Sequence, residues 1–155
     1  VNRRSVTEPM KLSWYVTALG AAIVWGVHYP LLDHALKRLS LFTVLFLTVL
    51  PMLLAAPFFY ATLSADLGVW QKLGWSERWT ILLIPFTSLA GAVLLFQAIS
   101  DKNATLASLI EISYPVFVAL FAWLLFRQVH FNASVLVGAL LVFAGVAVII
   151  LNNPH

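Results

Sequence analysis

Residues 133–151 read ASVLVGALLVFAGVAVIIL, a stretch without a single charged side chain. A helix of about 20 apolar residues crosses the hydrocarbon core of a bilayer, because each residue adds about 1.5 Å to a core about 30 Å thick. A transmembrane strand would instead alternate polar and apolar residues over about ten positions. Residues 133–151 are continuously apolar and therefore predict a membrane-spanning helix.

Four further stretches have the same character, so the predicted fold class is an all-α membrane protein with five transmembrane helices. The predicted spans are residues 13–34, 41–63, 79–100, 104–126 and 133–151. The breaks between them carry nearly all the charge. Residues 64–78 are predicted to form the longest loop, with a short amphipathic segment lying on the membrane as the alternative. Polar side chains that can accept from free backbone N–H groups precede four of the helices. These predicted N-caps are Ser40, Ser76, Asn103 and Asn132.

The composition excludes several classes of protein. Hydrophobic residues make up 62% of the chain and charged residues only 10%, whereas soluble domains have roughly 25% charged residues. A soluble enzyme is thereby excluded, and the lipid bilayer is the first expected partner. The chain has no cysteine, which rules out disulfides and thiolate metal sites. No metal-ligand or phosphate-binding pattern is present, so no metal, cofactor or nucleic-acid partner is expected.

The distribution of lysine and arginine predicts the orientation of the chain. Cytoplasmic loops of membrane proteins carry the excess of basic residues. Residues 1–12 are therefore predicted to be a cytoplasmic tail and residues 152–155 a short tail on the outer side, with the cell (inner) membrane as the expected location. The basic residues of the predicted cytoplasmic side are Arg3, Arg4, Lys11, Lys72, Arg78 and Arg127, against Lys37, Arg38 and Lys102 on the other side.

Two ionisable residues lie inside predicted spans, Glu111 in the fourth and His28 in the first. Such residues cost about 2.5–3.5 kcal/mol at the centre of the bilayer even on insertion scales, and they commonly face protein or a cavity. Each lies about 6 Å from the middle of its span, on the same side of the membrane. If the first and fourth helices are neighbours, the two residues can share a proton or flank one polar cavity. Alternatively, Glu111 is a neutral acid that only holds helices together.

Prolines and polar neighbours accompany both residues. A proline leaves the carbonyl four residues earlier without its helical donor, so Pro115 frees the carbonyl of Glu111, and Pro30 that of Gly26. Kinked helices near the midplane build many transporter sites. Residues at helical spacing around these positions are the candidate lining of a substrate and proton site. They are Trp25, His28 and Tyr29 in the first span and Ser108, Glu111 and Tyr114 in the fourth.

Small residues mark the predicted helix contacts. Ala18 and Ala22 lie four residues apart, and Gly138 and Gly145 lie seven apart. Small side chains at such spacings let membrane helices approach closely. These four residues are therefore predicted to be packing positions.

Several of these residues also form a recognisable pattern. Residues 103–117 read NATLASLIEISYPVF, followed by LLF at residues 124–126 and GALLVFAGV at residues 138–146. With the Trp25-Gly26 pair, the pattern resembles the EamA-like domain of the drug/metabolite transporter superfamily, over residues 13–151. Many members carry a Gly-Glu pair after the fourth span, where this chain has Arg127-Gln128.

The resemblance implies a particular architecture and function. Members usually have two five-helix repeats in opposite orientation, and this chain contains one such repeat. It implies a half-size transporter of small organic solutes or metabolites that must pair to form a pathway. We expect it to export solutes as a dimer by alternating access, with the intramembrane carboxylate of Glu111 as the group that responds to protons or other cations. Parallel and inverted homodimers and a heteromeric partner remain open. The alternatives are a non-transporting subunit that assembles with or regulates a partner, and a subunit of a flippase for lipid-linked substrates.

Overall fold

The computed structural model describes residues 13–128 and 132–153, and all regular structure within them is helical. Five stretches of these residues are long and apolar enough to cross a membrane, which confirms the predicted fold class. The predicted tail of residues 1–12 and the end of the second tail lie outside the described residues. The elements are α1 (Trp14–Leu36), α2 (Leu41–Ala55), a 3-10 turn (Ala56–Phe59), α3 (Tyr60–Lys72), α4 (Trp75–Asp101), α5 (Ala104–Glu111), α6 (Tyr114–Phe126) and α7 (Ala133–Asn152).

Three of the four predicted N-caps are confirmed. The side chains of Asn103 and Asn132 accept from backbone N–H groups three residues further on, at 2.8 and 2.9 Å. Ser40 does the same at 3.4 Å. Each satisfies a backbone donor that the first helical turn leaves free. The prediction at Ser76 is wrong, because α4 begins at Trp75.

Residues 64–78 are not the loop that the sequence predicts. The helical stretch that starts with α2 runs on through α3 to Lys72, and α4 follows after only two residues. The stretch from Leu41 to Lys72 has 32 residues, which corresponds to about 48 Å of helix against a hydrocarbon core of about 30 Å. Helix α3 therefore continues past the end of the predicted span. Hydropathy marks where a chain enters water, but not where its helix ends.

The tight turn between α3 and α4 is held by two hydrogen bonds. Arg78 donates through Nη2 to the carbonyl oxygen of Gln71 at 2.8 Å. The backbone N–H of Gly74, the N-cap residue of α4, donates to Oε2 of Glu77 at 3.0 Å. The side-chain oxygen that supports the start of α4 thus comes from inside the helix rather than from Ser76.

The buried core lies at one end of the bundle. Its members come from the end of α1, the start of α2, the end of α4 and the start of α5, next to the turns at residues 37–40 and 102–103. We call this the closed end. Among the described residues, no buried hydrophobic side chain lies in the opposite half, which we call the open end. The core residues are Leu32, Val44, Leu45, Phe96, Ile99, Ala104 and Ala107.

Replacing Ile99 by alanine is expected to destabilise the bundle by about 2 kcal/mol, the lower end of the range for such truncations. Ile99 is fully buried, and the stability of packed membrane helices depends on close contacts rather than on transfer from water. Thermal unfolding of the purified protein in detergent measures the effect. Leu94→Ala on the same helix is the control, since Leu94 is 71% exposed. Equal unfolding temperatures for the two variants would contradict the packing at the closed end.

Helix α6 ends in an unusual conformation at Arg127. Its φ is 56°, the one positive φ at a non-glycine residue in the described part of the chain. The next residue, Gln128, donates its backbone N–H to the carbonyl of Ala122, six residues earlier, at 3.2 Å. Glycine takes this conformation without steric cost. Arg127 therefore adopts a left-handed backbone conformation, at the position where many similar proteins have the glycine of a Gly-Glu pair.

Candidate functional site

The fourth predicted span is broken at Glu111. Helix α5 ends at this residue, and α6 begins at Tyr114 with Pro115 in its first turn. Pro115 has no N–H to donate to the carbonyl of Glu111, so the helical ladder is interrupted there. The N–H of Ser113 instead donates to the carbonyl of Ile110 at 3.1 Å, a shorter 3-10-type bond. The break leaves Glu111 at a helix end rather than in a helix interior.

Glu111 is bound across the bundle by Tyr29. The hydroxyl of Tyr29 on α1 donates a hydrogen bond to Oε2 of Glu111, and both side chains are half-buried. The bond joins residues 82 positions apart in sequence. The first and fourth predicted spans are thus neighbours. The sequence pairs Glu111 with His28, whereas in the structure the residue bonded to Glu111 is Tyr29.

The core holds this pair in place. Leu32 follows Tyr29 on α1 by three residues, and Ala107 precedes Glu111 on α5 by four, so each core residue lies about one helical turn from a site residue. Both are buried, and Tyr29 itself packs against the core. The Tyr29–Glu111 pair therefore lies at the boundary between the closed end and the open end of the bundle.

Trp25 connects His28 and Tyr29 into an aromatic cluster. Its ring centroid lies 5.1 Å from that of His28 in a T-shaped arrangement and 5.6 Å from that of Tyr29. Edge-to-face and offset pairs at such distances are favourable. The Nε2 atom of His28 is buried and has no hydrogen-bond partner among the described residues. His28 thus contacts the site through the packing of its ring against Trp25. Its Nε2 atom is available for a hydrogen bond.

The remaining predicted site residues fall into two groups. Tyr114 opens α6 and is 59% exposed, and it lines an open apolar groove of about 480 Å³ along that helix. Ser108 is partly buried and donates through its hydroxyl to the carbonyl of Thr105 at 3.0 Å, within its own helix turn. Helix α1 continues across Pro30 without interruption. Pro115 therefore interrupts its helix, whereas Pro30 does not end α1.

The predicted packing residues do not pack within the described chain. A Cβ atom built at Gly138 or Gly145 would meet no atom within 4 Å. Ala18 and Ala22 on α1 are exposed as well. The two small-residue faces are accordingly open to whatever surrounds the chain.

The electrostatics of the site are dominated by one carboxylate. Helices α1, α5 and α6, which carry the site residues, contain no lysine or arginine. In residues 13–128 and 132–153, no group of three His, Asp or Glu side chains is placed to hold a metal ion. A charged Glu111 would thus find no lysine or arginine partner on these helices.

Together, these features define an integral membrane protein whose five helical stretches hold a single carboxylate among aromatic rings. The family model of the EamA-like transporter family matches residues 12–151, and the chain belongs to this family. The membership confirms the resemblance noted in the sequence and points to membrane transport of small solutes rather than to catalysis. No curated protein and no solved structure matches the chain.

Proposed function

We propose that the protein transports small organic solutes by exchanging them for protons at Glu111. The observation that carries this proposal is the hydrogen bond between Tyr29 and Glu111, next to the broken helix and without a lysine or arginine on the helices that form the site. A carboxylate in this setting is stable in the bilayer only when it is protonated or paired with a cation. Loss of the proton therefore favours binding of solute, and loss of solute favours reprotonation.

Other titratable groups near Glu111 are few. His28 and Tyr29 come from α1, and Tyr114 comes from α6. Helices α4 and α7 also pack against α5, but their apolar stretches, residues 79–100 and 133–151, contain no titratable side chain. Glu111 is thus the group on which a proton and a solute would compete.

The exposure of the site supports a dimer. Trp25 is 49% exposed and Glu111 is only half-buried, although both lie within predicted spans. Contact with lipid would be costly for a carboxylate, so the site requires a covering surface. The faces with Gly138 and Gly145 and with Ala18 and Ala22 are open and allow close helix approach. We propose that a second copy of the chain covers the site and completes the cavity.

The position of the core supports a direction of transport. If the N-terminus is cytoplasmic, as the basic residues indicate, the closed end faces outward and the open end faces the cytoplasm. A solute would then reach Glu111 from the cytoplasm. Closure of the open end and separation of the closed end would release it outside, which is alternating access in the direction of export.

Flux measurements on the purified protein test the function itself. Proteoliposomes would be loaded in turn with amino acids, nucleosides and organic cations, and efflux would be compared with that from protein-free vesicles. Flux of at least one solute above the vesicle background is expected. Absence of flux for every solute would contradict transport by this chain alone. Flux restored only by a second membrane protein would identify the chain as a subunit of a heteromeric assembly.

Mixing active and inactive subunits tests the dimer. When wild-type protein and Glu111→Gln protein are combined in equal amounts before reconstitution, we expect about a quarter of the wild-type flux, because only dimers with two carboxylates remain active. Independent monomers would retain half of the flux. Flux that falls linearly with the wild-type fraction would contradict a shared cavity. Equal mixing with Asp33→Asn protein serves as the control and should leave the flux unchanged.

A further inference from the structure

A second cavity, which we call the α7 cleft, lies between α4, α5 and α7. Its volume of about 370 Å³ is within the range of about 300–1,000 Å³ that is typical of ligand pockets. Trp25, Tyr29 and Glu111 are not among the residues that line it, so the cleft is separate from the proposed transport site. Most of its lining is apolar. The apolar lining residues are Ala98, Leu106, Ala107, Ile110, Ile149 and Ile150.

The polar side chains of the cleft come from the ends of its helices. Asp101 is the last residue of α4, Lys102 lies in the turn to α5, and Asn153 follows the end of α7. These positions belong to the closed end, where charged residues mark the exit of the spans from the bilayer. Ile110 lies about 10 Å deeper, because it is seven residues beyond Asn103 along α5. The cleft thus runs from a charged rim at the membrane surface into the hydrocarbon region, as a phospholipid molecule does.

The width of the cleft fits one hydrocarbon chain rather than a protein helix. A volume of about 370 Å³ over a depth of about 10 Å corresponds to a cross-section of about 40 Å². An α-helix with its side chains is about 10 Å across, so its cross-section is about twice as large. A helix from a second copy of the chain would therefore not enter the cleft, whereas an acyl chain is narrow enough.

The charges of the rim fit a zwitterionic headgroup with a primary ammonium. Asp101 and Lys102 are adjacent and opposite in charge. The carboxylate of Asp101 accepts from Nε2 of Gln97 through Oδ1 at 2.7 Å, and a carboxylate can accept several hydrogen bonds. A lysine ammonium binds phosphate as a point charge. Phosphatidylethanolamine offers a phosphate to Lys102 and an N–H donor to Asp101, whereas the ammonium of phosphatidylcholine has no N–H to donate.

We propose that the α7 cleft binds one molecule of phosphatidylethanolamine, with an acyl chain between Leu106, Ile110 and Ile149 and the headgroup at Asp101 and Lys102. Among the described residues, α7 contributes none to the buried core. A lipid in the cleft contacts α4, α5 and α7 at once and therefore ties α7 to the closed end. This inference concerns a structural lipid site and does not rest on the proposed transport function.

Native mass spectrometry of the full chain tests the inference. The purified protein is titrated in detergent with one phospholipid at a time, and binding of the first lipid molecule is measured. The probes are dioleoyl phosphatidylethanolamine, phosphatidylcholine and phosphatidylglycerol, which share the same acyl chains. The ethanolamine lipid should bind about fivefold more tightly than the other two, the size expected of one charged contact near the membrane surface. Free phosphoethanolamine, which has no acyl chain, should not bind at the concentrations that saturate with lipid.

Charge variants identify the headgroup contacts. Asp101→Asn keeps an acceptor for Gln97 and removes the negative charge, so it should lower the affinity for the ethanolamine lipid to that for the choline lipid. Lys102→Gln should weaken both lipids about fivefold, because both contain the phosphate. Asp33→Asn and Lys37→Gln remove equal charges from the other turn of the closed end, where these two residues pair at 2.9 Å. These two control variants should bind all three lipids as the wild type does.

A pair of alanine variants tests the place of the acyl chain. Ala98→Phe puts a ring into the cleft and should weaken binding of every lipid at least about tenfold, because the chain and the ring would overlap. Ala90→Phe enlarges another exposed alanine of α4, outside the cleft, and should leave binding unchanged.

Four results would each overturn the inference. They are equal affinities of the wild-type protein for the ethanolamine and choline lipids, a preference for ethanolamine that survives Asp101→Asn, lipid binding unaffected by Ala98→Phe, and binding of free phosphoethanolamine as tight as that of the lipid. The last result would assign the rim to a soluble zwitterion instead of a phospholipid. Lipid binding is read without any transported solute, so its failure and a failure of solute flux are separate outcomes.

Discussion

Glu111→Gln is expected to lower uphill solute flux on the order of a hundredfold, the scale of loss when a proton-transferring group is removed. Glutamine has nearly the same shape and its side-chain oxygen can still accept from the hydroxyl of Tyr29, so the contact between α1 and α5 should survive. What is lost is the ability to carry a charge or a proton. Flux into proteoliposomes under an imposed pH gradient measures the effect, with size-exclusion chromatography confirming assembly.

Two further variants sharpen this prediction. Asp33→Asn removes a carboxylate from the end of α1, where it pairs with Lys37. The side chain of Lys37 is 67% exposed, so it stays in water without its partner and the loss of the pair should cost little stability. The flux of this variant should equal that of the wild type. Glu111→Asp keeps the titratable group but draws it back by one methylene, so it should retain part of the flux. Uphill flux of normal size in Glu111→Gln would show that Glu111 has only a structural role.

Ala107→Leu is expected to lower flux at least about tenfold through a purely geometric effect. Ala107 is buried in the core where α5 packs against α1 and α4, and Glu111 lies one turn further along α5. Added carbon atoms in a packed core cost about 1–3 kcal/mol and displace the backbone. Displacement of α5 would separate the Glu111 carboxylate from Tyr29, so the site would be disrupted without any change to its own residues.

A matched alanine distinguishes this effect from a general loss of helix quality. Ala21→Leu enlarges an exposed alanine on α1 and should leave flux unchanged. Accessibility of position 111 can be followed independently, because the chain has no native cysteine and a Glu111→Cys label reports on this position alone. Faster labelling of Glu111→Cys in the Ala107→Leu background is expected. Unchanged labelling and unchanged flux would contradict the role of the core in positioning the site.

Much of the fold could be predicted because membrane insertion depends on properties that a sequence displays directly. Continuous apolar stretches identify spanning helices, and the side chains of Ser40, Asn103 and Asn132 cap them as predicted. The continuation of α3 to Lys72 was favoured only as an alternative to a loop, because residues 64–72 are too polar to insert and yet retain helical backbone geometry. Polar residues can extend a membrane helix into water without any change in hydrogen bonding along its backbone.

The level at which Glu111 meets α1 could be predicted, but its exact partner could not. Counting residues along two spans of opposite direction brought Glu111 level with residues 28–29 of α1. Successive residues of a helix point about 100° apart, so the choice between His28 and Tyr29 depends on how α1 is rotated against α5. Packing of Leu32 and Ala107 sets that rotation. The sequence shows both His28 and Tyr29, but it does not show the packing contact that sets the rotation of α1.

The most direct test of proton–solute exchange at Glu111 is the lumenal pH of proteoliposomes when solute is added outside. A trapped pH-sensitive dye would report proton movement while uptake of the same solute is measured in parallel. For a transported solute, the wild-type protein is predicted to make the lumen more alkaline as solute enters and protons leave. Glu111→Gln should abolish this change and Asp33→Asn should preserve it. Solute uptake without proton movement, or an equal pH change in Glu111→Gln, would contradict exchange at Glu111.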